Sequence, residues 1–318
     1  MPLIKPSRIC VLGAAGFIGR HVVSECLSRG NTVVAVDIVE RMSPHLANHS
    51  RLEFRQGALT DEAFVRDALT GCDAVICLAP SSLPATSNAD IAGEVMASVH
   101  ATMKIAEIAC ELGVRNFVFA SSGGTVYGID SPDALPETAP TQPRNAYGVS
   151  KLAIEHYLRV LRDLRGMHTV SLRIANPYGV GQNAGNGQGF IAMAMRRAFG
   201  GESMSIWGDG SAVRDFIFVK DLAEAICAGV DYTGPEAAIN IGSGLGYSLR
   251  EVARMVESIS GRTLELVFEP TRRIDVAHNV LDISLAFREL GWRPSTAIES
   301  GLLATAEWWE TRRISQQT

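Results

Sequence analysis

The stretch from residue 8 to residue 37 narrows the fold more than any other. Arg8-Ile9-Cys10-Val11-Leu12 is a short apolar run that stops at Gly13-Ala14-Ala15-Gly16-Phe17-Ile18-Gly19, and residues 21–29 read as a helix. Strand, glycine turn and helix in that order give the glycines a physical task. They permit a tight turn, and they let backbone N–H groups at the helix start approach a pyrophosphate, where the helix dipole also favours an anion. Thr32-Val33-Val34-Ala35-Val36-Asp37 follows, a second apolar strand that ends in a carboxylate 18 residues after Gly19. An acid at that place accepts hydrogen bonds from the hydroxyls of an adenosine ribose and repels a 2′-phosphate. The pattern therefore points to NAD rather than NADP.

The alternation continues along the chain. Residues 52–55 read as a strand, 61–69 as a helix, 74–78 as a strand, 91–112 as one long helix and 116–120 as a further strand. Strands alternating with helices form βαβ units, so the expected fold is α/β, a Rossmann-type doubly wound parallel sheet. Ligands of such sheets sit at the carboxyl ends of the strands, where Gly13, Asp37, Leu78 and Ser121 fall. At 318 residues the chain exceeds the usual size of one compact core, which predicts a second, smaller domain.

Composition excludes several other classes. With 47% apolar and 20% charged residues the chain is globular, and a net charge of -5 with a pI near 5.8 gives no bulk attraction to nucleic acid or anionic membrane. An anionic ligand must be held by local groups. The first residues lack the apolar core of a signal peptide and no later run is long enough to span a bilayer, so a cytoplasmic protein is expected. The cysteines, Cys10, Cys26, Cys72, Cys77, Cys110 and Cys227, lie far apart without a CxxC pair or matching histidine spacing. They read as buried free thiols, and no metal site is expected.

Ala146-Tyr147-Gly148-Val149-Ser150-Lys151 opens a predicted helix and sets a phenol and an ammonium four residues apart, on one helical face. A nearby cation favours a phenolate, so Tyr147 could exchange protons with a hydroxyl group at neutral pH. A lone pair at this spacing is also common on solvated helices, and the surrounding motifs decide between the two.

Gly13-x-x-Gly16-x-x-Gly19, Asp37, Ser121-Ser122-Gly123-Gly124-Thr125-Val126-Tyr127-Gly128 and Tyr147-x-x-x-Lys151 together resemble the extended short-chain dehydrogenase/reductases. Within them the chain is most similar to the NAD-dependent sugar-nucleotide epimerases typified by UDP-glucose 4-epimerase. The resemblance runs nearly to the C-terminus. It implies NAD held by Gly13, Gly16, Phe17, Ile18, Gly19, Asp37, Leu59, Leu78, Ala79, Tyr147 and Lys151. It implies catalysis by Tyr147 and Lys151 with Thr125 or Ser122, and a nucleotide-diphospho sugar as substrate.

Substrate contacts follow from the same resemblance. Arg173-Ile174-Ala175-Asn176-Pro177-Tyr178-Gly179 matches a segment whose Asn reaches the substrate's phosphate and sugar. Residues 208–216 resemble the segment that supplies Arg214 to the diphosphate, and Arg272-x-x-Asp275 resembles a final pair, the arginine for diphosphate oxygens and the acid for a ribose. Guanidinium groups form bidentate, charge-assisted hydrogen bonds with such oxygens, although on the residues alone both arginines read as solvated charges. The glycine-rich run 181–189 is either a linker or a loop that closes over the nucleotide with Gln188 or Phe190 near the base. Asn279, four residues after Asp275, is either an ordinary loop residue or the position that controls substrate size and tolerates an N-acetylated sugar.

The chain departs from the family pattern at several places. Relatives with 4-epimerase activity usually carry a serine where Gly123 stands, so Thr125 or Ser122, or a bridging water, must hydrogen-bond the reacting hydroxyl. Gly57-Ala58 replaces a Gly-Asp whose acid contacts adenine, Cys77-Leu78-Ala79-Pro80 replaces a common His-Leu-Ala-Ala, and Ser98 stands where an Asn lies near the lysine. No acid accompanies Thr125 as in the dehydratases, which speaks against 4,6-dehydration.

The resemblance implies an NAD-binding domain from residues 1–176 plus about 214–240, and a discontinuous nucleotide-sugar-binding domain from about 177–213 plus 241–318. The expected reaction is inversion at C4 of a UDP-hexose through a transient keto-sugar. A sugar-nucleotide dehydrogenase or reductase, an epimerase at another carbon, and a non-catalytic NAD sensor are the alternatives. The helices over residues 91–112 and 147–164 carry apolar surface that either pairs a homodimer, as in relatives, or packs on the chain's own sheet.

Overall fold

The computed structural model describes residues 7–39, 42, 44–79, 87–184, 189–272 and 275–317. Seven parallel strands form the main sheet, in the order Ala238–Ile241, His168–Ile174, Asn116–Ser122, Ala74–Cys77, Arg8–Leu12, Thr32–Asp37, Leu52–Gln56. The order turns back on itself between Ala74–Cys77 and Arg8–Leu12, which opens a crevice at the carboxyl ends of those two strands. This is the doubly wound, Rossmann-type sheet that the sequence predicts. The central strands are apolar on both faces because helices cover both. Helices Phe17–Ser28 and Val219–Val230 share one core with the sheet; Glu62–Leu69, Ala101–Glu111 and Ala146–Arg165 share the other.

A third core lies beyond the sheet, among the helices Phe190–Gly200, Leu249–Ser260 and Ile298–Gln317. Two small sheets accompany it. Val213–Phe218 pairs with Gly246–Ser248, His278–Asn279 and Asn176–Tyr178, and Met204–Trp207 pairs with Leu266–Glu269. The chain returns to the large sheet through Val219–Val230 and the edge strand Ala238–Ile241.

One element differs from its expectation. The helix expected over residues 91–112 is an α-turn, Ile91–Glu94, then a π-helical stretch, Val95–His100, then an α-helix, Ala101–Glu111. A π-turn holds about one residue more than an α-turn, which a search for apolar residues at a 3.6 period does not register. The cysteines are free, and all but the half-buried Cys110 are buried. Among the described residues no helix is long and apolar enough to cross a membrane, and no His/Cys/Asp/Glu group could hold a metal ion.

Candidate active site

A cavity of about 940 Å³ occupies the crevice and runs towards the third core. Its cofactor side is built from the glycine turn. Gly13 has φ +82°, and a Cβ on Gly19 would stand 2.1 Å from the Gly13 carbonyl oxygen, so no larger residue lets the helix start so close to the strand. Gly16 caps the Phe17–Ser28 helix without a side-chain hydrogen bond, which leaves the first N–H groups for an anion. A Cβ on Gly16 would meet only the Gly13 carbonyl oxygen, at 3.2 Å. The Asp37 carboxylate accepts from Ala15 N at 2.9 Å and Ile38 N at 2.8 Å, which ties it to the turn at the end of its strand. An open anion cradle beside a fixed carboxylate fits NAD. Phe17, Ile18, Leu59, Leu78 and Ala79 line the same wall, together with Ala58 and Cys77. Pro80 lies outside the described residues.

The reactive groups meet deeper in the cavity. The Ala146–Arg165 helix is capped by Asn145, whose side chain accepts from Gly148 N at 2.8 Å, and two further side chains hold its first turn. Asn88 accepts from Ala146 N at 2.9 Å and Ser87 from Tyr147 N at 3.1 Å. The helix start is thus fixed from outside, and Tyr147 and Lys151 both line the cavity. Lys151 is 6% exposed; its Nζ donates to the Ala120 carbonyl at 2.7 Å and lies 5.4 Å from the Tyr147 ring centre. Burial pushes the ammonium down to about 8, against the pull of Cys77, Glu94 and Glu155. Burial, with Glu94 adding to it, pushes the Tyr147 phenol up to about 12. This corrects the sequence expectation of a phenol lowered by its cationic neighbour. In the low-dielectric interior the cost of forming a buried phenolate outweighs the pull of the neighbouring ammonium.

Thr125 and Ser122 both line this part of the cavity, and Thr125 Oγ1 is buried without a hydrogen-bond partner. Below them a buried network fixes the floor. Arg173 pairs with Glu155 at 2.8 Å and donates to Tyr127 Oη at 3.1 Å, Tyr127 donates to Asn240 Oδ1 at 2.7 Å, and the Ser121 hydroxyl donates to Glu155. Three strands of the sheet, those of Ser121, Arg173 and Asn240, and the helix that carries Tyr147 are locked together in this way.

Towards the third core the cavity is lined by Asn176, Phe190 and Arg272. Asn176 donates through Nδ2 to the Asp215 carbonyl at 2.8 Å. Arg272 and Asp275, given separate ligand contacts by the sequence reading, are bound to each other through two hydrogen bonds of 2.9 Å. Asp275 is not on the wall, and neither is Arg214, which is half-buried with Nη1 donating to its neighbour Val213 at 2.8 Å. Asn279 is no loop residue and is not on the wall either. It lies in a strand, 1% exposed, with Nδ2 donating to the Gly123 carbonyl at 3.2 Å. Gln188 lies outside the described residues. The sequence reading missed Gln182, Phe216, Thr102 and Glu94. The first three line the cavity, and Glu94 acts electrostatically on Tyr147 and Lys151. No local pattern marks them, because tertiary packing alone brings them there.

Comparison with known proteins agrees with this geometry. The NAD dependent epimerase/dehydratase family matches residues 9–242. A UDP-glucose 4-epimerase of Mycolicibacterium smegmatis is 32% identical over 317 residues, covering 96% of this chain and 99% of the relative. A dTDP-4-dehydro-6-deoxyglucose reductase of Escherichia coli is 31% identical over 307 residues, covering 94% of this chain and 96% of the relative. The solved UDP-glucose 4-epimerase of Thermotoga maritima, in complex with UDP-glucose, superposes with a TM-score of 0.90 at 30% identity, covering 96% of this chain and 99% of that one. The match spans most of the chain and the cavity has what such a cofactor requires: the chain belongs to the NAD-dependent epimerase/dehydratase family.

Proposed function

We propose that this protein is an NAD-dependent epimerase that inverts C4 of a nucleotide-diphospho sugar, a UDP-hexose, through a transient keto-sugar. The observation that carries this reading is the convergence of Tyr147, Lys151 and the unpartnered Thr125 hydroxyl in the same cavity as the glycine turn and Asp37. Bound NAD supplies a hydride acceptor and donor. The turn at Gly13, Gly16 and Gly19 binds its pyrophosphate and Asp37 its adenosine ribose. Tyr147 takes the proton of the C4 hydroxyl as that carbon is oxidised and returns it when the carbon is reduced from the other face. Lys151 exchanges charge with Tyr147 and holds the nicotinamide ribose. Thr125 donates to the reacting oxygen; of it and Ser122, Thr125 has the free buried hydroxyl. Asn176, Phe190 and Arg272 anchor the nucleotide diphosphate while the keto-sugar turns, with Asp275 holding the Arg272 guanidinium in place.

On this reading residues 1–176 with about 214–240 bind NAD, and about 177–213 with 241–318 bind the nucleotide sugar. The protein works in the cytoplasm as a homodimer. Support for the dimer comes from Val149, Tyr157, Val160 and Leu164 on one helix and Ile91, Val95 and Met96 beside it, all exposed and apolar. A light-scattering mass of one chain at micromolar concentration would refute it.

The activity is tested by incubating the purified protein, without added cofactor, with UDP-, GDP-, CDP- and dTDP-sugars and following product stereochemistry by NMR. Conversion of a UDP-hexose to its C4 epimer with no net change in NADH is expected. In a parallel incubation with added NADH, its stoichiometric consumption with a keto-sugar nucleotide would instead make it a reductase, the activity named for the Escherichia coli relative. NAD binding without turnover of any sugar nucleotide would make it a sensor.

A further inference from the structure

Glu94 is a buried acid beside the reactive pair, to which the mechanism above assigns nothing. It ends the Ile91–Glu94 turn and is 4% exposed. Ser98, in the π-helical stretch, donates to Oε1 at 2.6 Å, whereas Oε2 is shielded from solvent and has no hydrogen-bond partner. A carboxylate in this state is costly unless a cation answers it. The turn that carries it packs against the Ala146–Arg165 helix, and Ala97 and Ala101, just after it, line the cavity.

Among the described residues no cation stands at salt-bridge distance from it; its turn packs on the helix that carries Lys151, and from there its charge helps that ammonium to retain its proton. Two other groups of negative potential face Lys151, and both are committed elsewhere. Glu155, on the same helix, is held by two nitrogens of Arg173, at 2.8 and 3.1 Å. Cys77, at the end of its strand, stays a neutral thiol because burial pushes it up to about 11. Glu94 is the uncommitted charge, and it acts on Tyr147 as well.

We propose that Glu94 is the counter-ion of the Tyr147–Lys151 pair, a positioning residue that sets the pH at which the pair gives up its first proton. The proposal rests on the acid–base roles assigned above to Tyr147 and Lys151. A carboxylate here opposes loss of a proton from either partner. It therefore keeps the phenol available as an acid for the return half of an epimerisation.

The test is an NMR titration of the side-chain nitrogens in full-length protein labelled with 15N-lysine. The chain's lysines are Lys5, Lys104, Lys151 and Lys220, so the Lys151 signal is readily assigned with Lys151→Arg. Glu94→Gln should move the Lys151 titration down by about one pH unit, the lower end of what one nearby charge does. Glu94→Asp, which keeps the charge, should leave it close to the wild-type position. The acid limb of the turnover profile should move down with it. An unmoved Lys151 titration in folded Glu94→Gln overturns the proposal, and Glu94→Ala carries the same test if the glutamine variant does not fold. Absence of turnover with every sugar nucleotide would sink the catalytic reading and leave the titration result standing.

Discussion

Leu281 fills the place that a side chain on Gly123 would take: a Cβ there would stand 2.6 Å from Leu281 Cδ1 and 3.0 Å from the Arg173 carbonyl oxygen. The glycine and the leucine answer each other, and the serine that relatives carry at this position cannot simply be restored. Gly123→Ser should lower stability by about 1–3 kcal/mol through overpacking, read by urea unfolding, and should not raise turnover. A serine variant of wild-type stability and higher turnover would show that the pocket was merely missing a hydroxyl.

Thr125→Val separates catalysis from stability. It removes a buried hydroxyl that has no partner in the protein, so unfolding should be unchanged or slightly harder. Turnover should fall about a hundredfold through loss of a donor to the reacting oxygen. If Ser122→Ala costs more turnover than Thr125→Val, the roles of the two hydroxyls are reversed.

Tyr147→Phe keeps the ring and removes the proton carrier. NAD should remain bound at wild-type stoichiometry, measured by absorbance after denaturation, while turnover falls by about 10²–10⁴. Residual activity near that of the wild type would remove Tyr147 from the chemistry.

Burial holds Lys151 at about 8 and Tyr147 at about 12, so below about pH 8 both carry their protons and between the two values the pair has lost one. Turnover should therefore rise with pH to a plateau. The positive charge that NAD brings places the acid limb at or below about 8. A limb above pH 8 in the NAD-loaded protein would contradict this assignment. The same depression has a stability consequence. Lys151 is lowered from 10.5, so the unfolded chain holds its proton more tightly. That cost is full below about 8 and fades as the pH rises towards 10.5, which urea unfolding of the unloaded protein can follow.

Arg272 is half exposed, stacked 4.9 Å from the Trp207 ring centre and paired with Asp275. Arg272→Ala should change stability by less than about 1 kcal/mol, as expected of an exposed pair. KM for the sugar nucleotide should rise at least about tenfold, with little change in kcat. An unchanged KM would show that the arginine serves only its partner acid.

The sequence alone determined the sheet and the cofactor cradle, because both rest on short-range patterns. A strand, a glycine turn and a helix are contiguous from residue 8 to residue 28, the carboxylate of Asp37 ends the next strand, and Tyr147 and Lys151 share a helical face. Tertiary structure decided the rest of the site, where the groups involved lie far apart in sequence. The ionisation of Tyr147 follows from how deeply the folded chain buries it and from Glu94, a residue 53 positions away that a π-helical stretch follows. The space beside Gly123 belongs to Leu281, and the amide of Asn279 turns to the Gly123 carbonyl instead of the cavity. Local propensity and periodicity report which way a backbone runs; burial and the charges that share it depend on all the chain brought to one place.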